Sequence, residues 1–430
     1  MVGYALVNHG AARRILTAAT VLLLFGSIGA CTRAAHGTPT PVTSASGPVV
    51  ADIPLNPFEA AADLLRRQGT ALLSGDEAGW LAAVDPGQPA LRNRYRTMFA
   101  TLRALDVTQF AYAPQLLSSP ADPVMKIESR VAYCFSRGVC SKYGGDGTDT
   151  PEVRLTMTVK TVGGRLAITG LGTPKRVSRL EPTPWENTPL TVRQGARVTV
   201  AATAGEAAHL DAVLAIAEAS AKVNDRVAGY VENPQRRYRI YLADAKAWRT
   251  WYRGETDKWT VGYTISLNAA GEDVVLNMPA LAGDRKMLVT TVKHEMGHVV
   301  TKSGVNGRGR DNMWLTEGIA EYIAWSPAPA TASWRRPSVH ETVHSRHRPA
   351  SIALPAPDED ASLSKIDAFY GLGHFAMSCL AAKYGERALF DFVRYRLQNG
   401  FEYDDAARRA FHQPFATVDR ACVSWIRNTA

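Results

Sequence analysis

The sequence predicts an α+β protein in two parts: a small N-terminal domain of helices followed by an antiparallel sheet, then a larger domain with a mixed sheet and a mostly helical C-terminal half. Three observations carry this expectation. The 430-residue length allows two separate cores. Apolar periodicity changes from helical to strand-like near Val107, alternates between the two in the middle of the chain, and is helical again from Asp284 onward. A Pro-rich stretch, Glu181 to Pro189, lies between the two parts. With 46% apolar and 21% charged residues the composition is that of a globular chain, so any disorder should be local.

The first 31 residues read as an export signal. Arg13 and Arg14 supply the positive region, and Ile15 to Ala30 form an apolar run too short for a confident membrane span. The run ends in Ile28-Gly29-Ala30-Cys31, which resembles the bacterial lipobox. That resemblance implies a lipid on Cys31 and a chain held on the outer side of the cytoplasmic membrane. Residues 32–54 are rich in Ala, Gly, Pro, Ser and Thr and cannot form a core, so they read as a spacer.

The N-terminal domain is expected over residues 55–180. Phe58, Leu64, Leu65, Leu72 and Leu73 follow a helical period, and a second helix is expected from Tyr95 to Leu105, after the Asp85-Pro86-Gly87 break. Strand preferences then appear at Val107 to Tyr112, Val124 to Tyr133, Val153 to Val162 and Leu166 to Leu171. Helices followed by antiparallel strands resemble the cystatin-like cone folds. Trp185 is a candidate to dock the Pro-rich segment onto a domain.

The second domain is expected over residues 190–430. It opens with a strand at Ala196 to Ala202, a helix from Ala208 to Ala228 and a strand at Tyr238 to Leu242. A strand pair follows at Trp259 to Leu267 and Val274 to Met278, with turn residues Asn268 to Gly271 between them. Val274 to Met278 reads either as the edge strand that aligns an extended peptide or as a covered core strand.

Charge excludes one partner class. The net charge of +9 comes from scattered Lys and Arg residues, with no basic run interleaved with aromatics, so specific nucleic-acid readout is not expected. The excess suits a neighbouring anionic surface or is an ordinary basic exterior. If Cys31 carries lipid, four of the five cysteines remain. Proximity suggests Cys134 with Cys140 and Cys379 with Cys422, although four cysteines allow three pairings.

The chemistry concentrates after Asp284, a candidate helix N-cap. The helix that follows carries His294-Glu295-Met296-Gly297-His298, and one turn places both imidazoles on one face, able to hold one ion. Glu295 lies on the adjoining strip, in reach of a water at that ion. A hydrolytic site needs three protein ligands, so a third should exist. Eighteen residues separate His298 from Glu317, which stands in Trp314-Leu315-Thr316-Glu317-Gly318-Ile319-Ala320-Glu321-Tyr322.

The His-Glu-x-x-His motif, this gap and the Glu-Gly-x-Ala-Glu-Tyr stretch together resemble the gluzincin metallopeptidases, in particular the peptidase MA-like domains of bacterial envelope proteins. The resemblance spans roughly Tyr238 to Trp425. It implies Glu317 as third ligand of a single Zn2+, Glu295 as general base, and Glu321 as acceptor of a ligand histidine's second N–H. Gly297 and Gly318 would let the two helices approach closely around the ion. Family members often place a Tyr or His downstream as oxyanion donor, for which Tyr370 and His374 are the candidates and Tyr370 the favoured one. The Gly-x-Met-Glu-Asn segment of aminopeptidase N-type relatives is absent here, where Val275-Leu276-Asn277-Met278-Pro279 stands, which points to endopeptidase or oligopeptidase action on peptide or protein substrates. Trp334 to His347, with His340, His344 and His347 among arginines and prolines at Pro337 and Pro349, reads as a solvated loop over the cleft rather than a second metal cluster. Two other functions fit the same residues: a binding or assembly lipoprotein with little turnover, or a hydrolase of a non-peptide cell-wall amide.

Overall fold

The first described helix begins where its residues dictate. The Asn56 side chain accepts from Glu59 N, and Glu59 accepts from Asn56 N, closing a capping box before Pro57. A computed structural model describes residues 56–119, 122–135, 150–173, 180–255, 259–267, 271–302, 310–358 and 360–430. The export signal, Cys31, the spacer, Cys140 and most of the 268–271 turn lie outside the described residues.

Helix α1 (Pro57–Ser74) buries Ala61, Leu65, Gln68 and Leu72, one face at helical spacing, and stops at Gly75 with φ 79°. Two helices follow, α2 (Glu77–Ala82) and α3 (Pro89–Ala104). α2 has only six residues behind the Asp76 cap, too few to show a period. α3 starts earlier than the periodicity suggested because Pro89 occupies its first turn, where a missing N–H costs nothing. An antiparallel meander follows: β1 (Val107–Leu116), β2 (Val124–Phe135), β3 (Glu152–Val162) and β4 (Arg165–Gly172), in that spatial order. Trp80 sits at the centre of this half, against the rings of Tyr95, Phe99 and Phe110.

The Pro-rich segment contains a single helical turn, α4 (Pro184–Asn187). Trp185 is fully buried and docks on the meander, its ring 6.0 Å from Phe110 and 5.1 Å from Tyr133. Glu186 is buried beside it, accepting from Thr183 N at 2.7 Å. Burial pushes its carboxyl up to about 7, against those Thr183 hydrogen bonds. A folded value above the unfolded one means that the folded state holds the proton more tightly. Stability is therefore lost as pH rises from about 4.5 through about 7. Glu186→Gln keeps an acceptor without the charge. In urea titrations it should stabilise the chain by on the order of 1–3 kcal/mol near pH 8 and leave it unchanged near pH 4; equal gains at both pH values would contradict this.

The second sheet is mixed, with order β5-β6-β7-β9-β8. Its strands are β5 (Thr191–Gln194), β6 (Val198–Ala202), β7 (Tyr238–Ala243), β8 (Gly262–Ser266) and β9 (Glu272–Asn277). β6, β7 and β9 run parallel, and β5 and β8 pair antiparallel at the two edges. Helix α5 (Leu210–Tyr230) makes the crossover from β6 to β7. The stretch Val274 to Met278 is therefore a covered interior strand, and the edge position belongs to β8.

Both faces of the central strands are buried, which explains their unbroken apolar runs. Val200, Ile240 and Leu276 point to a core shared with α5 and the metal-motif helix. Ala201, Tyr241 and Val275, one residue out of phase, point to the core that holds Trp80 and the meander. Between the sheets lies a buried ionic group. Arg239 Nε donates to Asp273 at 2.6 Å, the Tyr252 hydroxyl donates to the same carboxylate at 2.6 Å, and the guanidinium lies 4.8 Å from the Phe135 ring.

The remainder is helical: α6 (Ala245–Trp248) and α7 (Met278–Leu281) are short, then come α8 (Arg285–Thr301), α9 (Met313–Trp325), α10 (Arg336–His344), α11 (Leu363–Tyr384), α12 (Glu386–Val393), α13 (Tyr403–Phe411) and α14 (Phe415–Thr429). α9 packs between α8 and α11. A disulfide joins Cys379 of α11 to Cys422 of α14 across a sequence separation of 43. Closing a loop of that length contributes about 4 kcal/mol on the chain-entropy account. Cys134 is buried at the end of β2, and its suggested partner Cys140 is outside the described residues. No helix among the described residues is long and apolar enough to cross a membrane.

Candidate metal centre

Asp284 caps α8 by accepting from Met287 N at 3.0 Å, and the helix then runs unbroken through His294 and His298. One turn apart, the two rings lie 4.7 Å centroid to centroid, both buried. α9 lies against them. Oε2 of Glu317 is 3.2 Å from Nε2 of His294 and 3.2 Å from Nε2 of His298. Among the described residues these three form the one group whose ligand atoms all fall within 4.8 Å of one another. Glu321, one turn further along α9, sits 3.2 Å from Nδ1 of His294. It can fix the tautomer that leaves Nε2 free for an ion.

The electrostatics fit a cation. Burial opposes charge on Glu317, yet His298, the hydrogen bonds from both rings and Lys302 hold its carboxyl well below the usual range. Burial likewise opposes charge on Glu321, and Arg335 and His294 bring it down to about 2. Burial would lower the His294 imidazole, but its hydrogen bonds to Glu317 and Glu321 push it up to about 10. Burial and the neighbouring Lys302 keep His298 below its ordinary value. Two ionised carboxylates thus stand in the buried site, Glu317 where the ligand atoms converge and Glu321 behind the His294 ring. Two imidazoles and a carboxylate are a donor set suited to a borderline divalent ion. A small cavity of about 30 Å³ adjoins them, lined by Gly262, Tyr263, Glu295 and Tyr370, with room for a water.

Glu295 is 5% exposed and faces this cavity without joining the ligand group. Thr264 of β8 donates to its carboxylate at 2.8 Å. Gly262, on the same strand, comes so close that a Cβ there would lie 2.9 Å from Thr291 Cγ2 and 3.0 Å from Glu295 Cγ. Neither residue was visible in the sequence, because only the pairing of β8 with β9 brings that strand over α8.

A larger cleft of about 430 Å³ opens from the centre, lined by Trp259 to Gly262, Met287, Trp334, Arg335, Ile366 and Tyr370 among others. Tyr370 and His374 differ in depth. Tyr370 lines the cleft with its ring 6.1 Å from that of His294, and burial followed by Glu317 raises its phenol well above the ordinary value, so it stays a donor. His374, one turn on, is 1% exposed, stacked on Trp325 at 6.3 Å and lowered by burial to about 4; it does not line the cleft.

Arg335 was not singled out from the sequence. Its Nε lies 3.5 Å from Glu321, Nη1 pairs with Asp367, and the guanidinium is 5.0 Å from the Tyr370 ring. It ties the acceptor behind His294 to the cleft tyrosine.

Two expectations change. The stretch Trp334 to His347 contains a helix, α10, not only a loop. Pro337 sits in its first turn, where proline is tolerated, and Val339 and Val343 bury one face. The close approach of Gly318 is to α11 rather than α8: a Cβ there would lie 2.7 Å from the Gly373 carbonyl oxygen, whereas a Cβ on Gly297 meets Ile323 at an ordinary 3.4 Å.

In comparison with known proteins, no family model matches the chain and no curated protein matches it.

Proposed function

We propose that this chain is a zinc metallopeptidase, tethered through lipid on Cys31 outside the cytoplasmic membrane, that cleaves peptide bonds within a chain. The observation that carries the reading is the carboxylate oxygen of Glu317 at 3.2 Å from both Nε2 atoms, with Glu295 beside them on the cleft but outside the ligand group. His294, His298 and Glu317 would hold the Zn2+, which when bound supplies Lewis acidity toward a carbonyl oxygen and acidifies water.

The chain's own residues then do the rest. Glu295, oriented by Thr264, accepts a proton from the attacking water and passes it to the leaving amine. Tyr370 donates its phenol hydrogen toward the oxygen on which charge develops. β8 is the edge strand beside β9, and an edge strand is the element that can align an extended peptide by main-chain pairing. Trp334 and Leu363, both large apolar side chains with 38% and 61% exposure, line the same cleft, which favours substrates with apolar side chains near the scissile bond.

The test is cleavage of a mixed peptide library by the full-length chain. Activity should disappear on chelation and return with Zn2+. An ion-loaded, folded chain that cleaves no member would remove the peptidase reading, and release of amines from cell-wall amides alone would redirect it.

A further inference from the structure

The helix α10 changes the meaning of a second pattern in the chain. His340-Glu341-Thr342-Val343-His344 has the same His-Glu-x-x-His spacing as the buried motif, and as a loop it would bring no two ligands together. On a helix it does, because residues four apart share a face. We infer that His340 and His344 form a second metal site, open to solvent, that takes a borderline transition-metal ion such as Cu2+, Ni2+ or Zn2+.

Geometry carries this. The two rings lie 4.3 Å centroid to centroid, against 4.7 Å for His294 and His298, so the exposed pair repeats the spacing of the buried one. The His344 Nδ1–H donates to the His340 carbonyl oxygen at 2.8 Å. That bond assigns the proton to Nδ1 and leaves the Nε2 lone pair for an ion, the arrangement in which ligand histidines are usually held. Val339 and Val343 are buried in the core, so the helix that presents the pair is fixed while both rings are exposed to solvent.

The differences from the buried centre define the ligand. No carboxylate joins the pair as a third ligand within the described residues, since the three-residue group there is the buried one. Glu341 holds the place that Glu295 holds in the first motif but is exposed, with no threonine shown against it. Two imidazoles therefore supply half of a tetrahedral sphere, with water or another molecule completing it. Such a site binds an exchangeable ion, in the order Cu2+ above Ni2+ and Zn2+, and has neither the third ligand nor the enclosed base of a hydrolytic centre.

The inference does not depend on the peptidase reading, and a direct ion count separates the two. The untagged full-length chain is dialysed against Cu2+ or Zn2+, and bound metal is measured for wild type, the double variant His340→Asn with His344→Asn, and His298→Asn. The exposed variants should fold as wild type does, checked by circular dichroism. Wild type should hold about one ion more than the double variant, and His298→Asn should keep that extra ion while losing the buried one. On an immobilised Ni2+ or Cu2+ matrix, wild type and His298→Asn should be retained and the double variant should pass through. Equal ion counts and equal retention for wild type and the double variant would overturn the site, whatever the buried centre does.

Discussion

Glu295→Gln is expected to lower kcat/KM for peptide cleavage by about 10²- to 10⁴-fold, the usual contribution of a positioned general base, while leaving metal content and stability close to wild type. The separation of effects follows from position. Glu295 lines the cleft but is not one of the three residues whose ligand atoms converge, so ion binding does not need its charge. Gln preserves the shape and an oxygen that can still accept from the Thr264 hydroxyl, now 2.8 Å from the carboxylate, so the strand contact survives. What Gln cannot do is take a proton. A binding or assembly protein that merely keeps the fold would show no difference between the two chains in any assay. Metal analysis alongside steady-state kinetics on the same preparations is the measurement, and equal turnover by both forms would remove Glu295 from its assigned role.

Gly318→Ala should be the most damaging single methyl group in the site. The added Cβ would lie 2.7 Å from the Gly373 carbonyl oxygen and 3.0 Å from its Cα, backbone that cannot swing aside. α9 and α11 must separate, at a cost of about 1–3 kcal/mol for such overpacking. Because Glu317 is the preceding residue, its carboxylate moves with the helix, and the affinity for metal should fall together with stability. Gly297→Ala makes the control. It lies in the ligand motif itself, yet its Cβ would meet Ile323 Cδ1 at 3.4 Å, the far end of a flexible side chain. The gain in helix propensity, about 1 kcal/mol, should offset that contact. Urea denaturation and metal titration of both variants decide the matter. A Gly318→Ala chain as stable as wild type would mean that the two helices are not in contact there.

Local signals in the sequence were enough for the elements whose cause is itself local. The capping box at Asn56, the alternation along β2 and β3 and the helical spacing of His294 and His298 each depend on residues within a turn or two. The α+β class follows from them. Proline misled at α10, where Pro337 sits in the helix first turn but was read as punctuating a loop.

Three features of the site needed the third dimension. Thr264 and Gly262 reach Glu295 only through strand order. Tyr370 and His374 lie on one stripe of α11, so periodicity cannot separate them; the depth at which α11 meets α9 does. The two His-Glu-x-x-His matches are alike in spacing, and what distinguishes them is the carboxylate that α9 brings to one and that none of the described residues brings to the other.

The placement of Tyr241, Trp248 and Trp251 in the core that also holds the meander bears on what removal of the leading half would do. Many hydrolases are made silent and released by removal of a leading segment. Here such a cut, if the severed half departed, would bare three large rings that face the meander from the second half. At roughly 25 cal/mol per Å² and about 150 Å² or more per ring, the exposure amounts to on the order of 10 kcal/mol, comparable with the whole margin that keeps a domain folded. Loss of the leading half would therefore unfold the remaining half rather than release it intact.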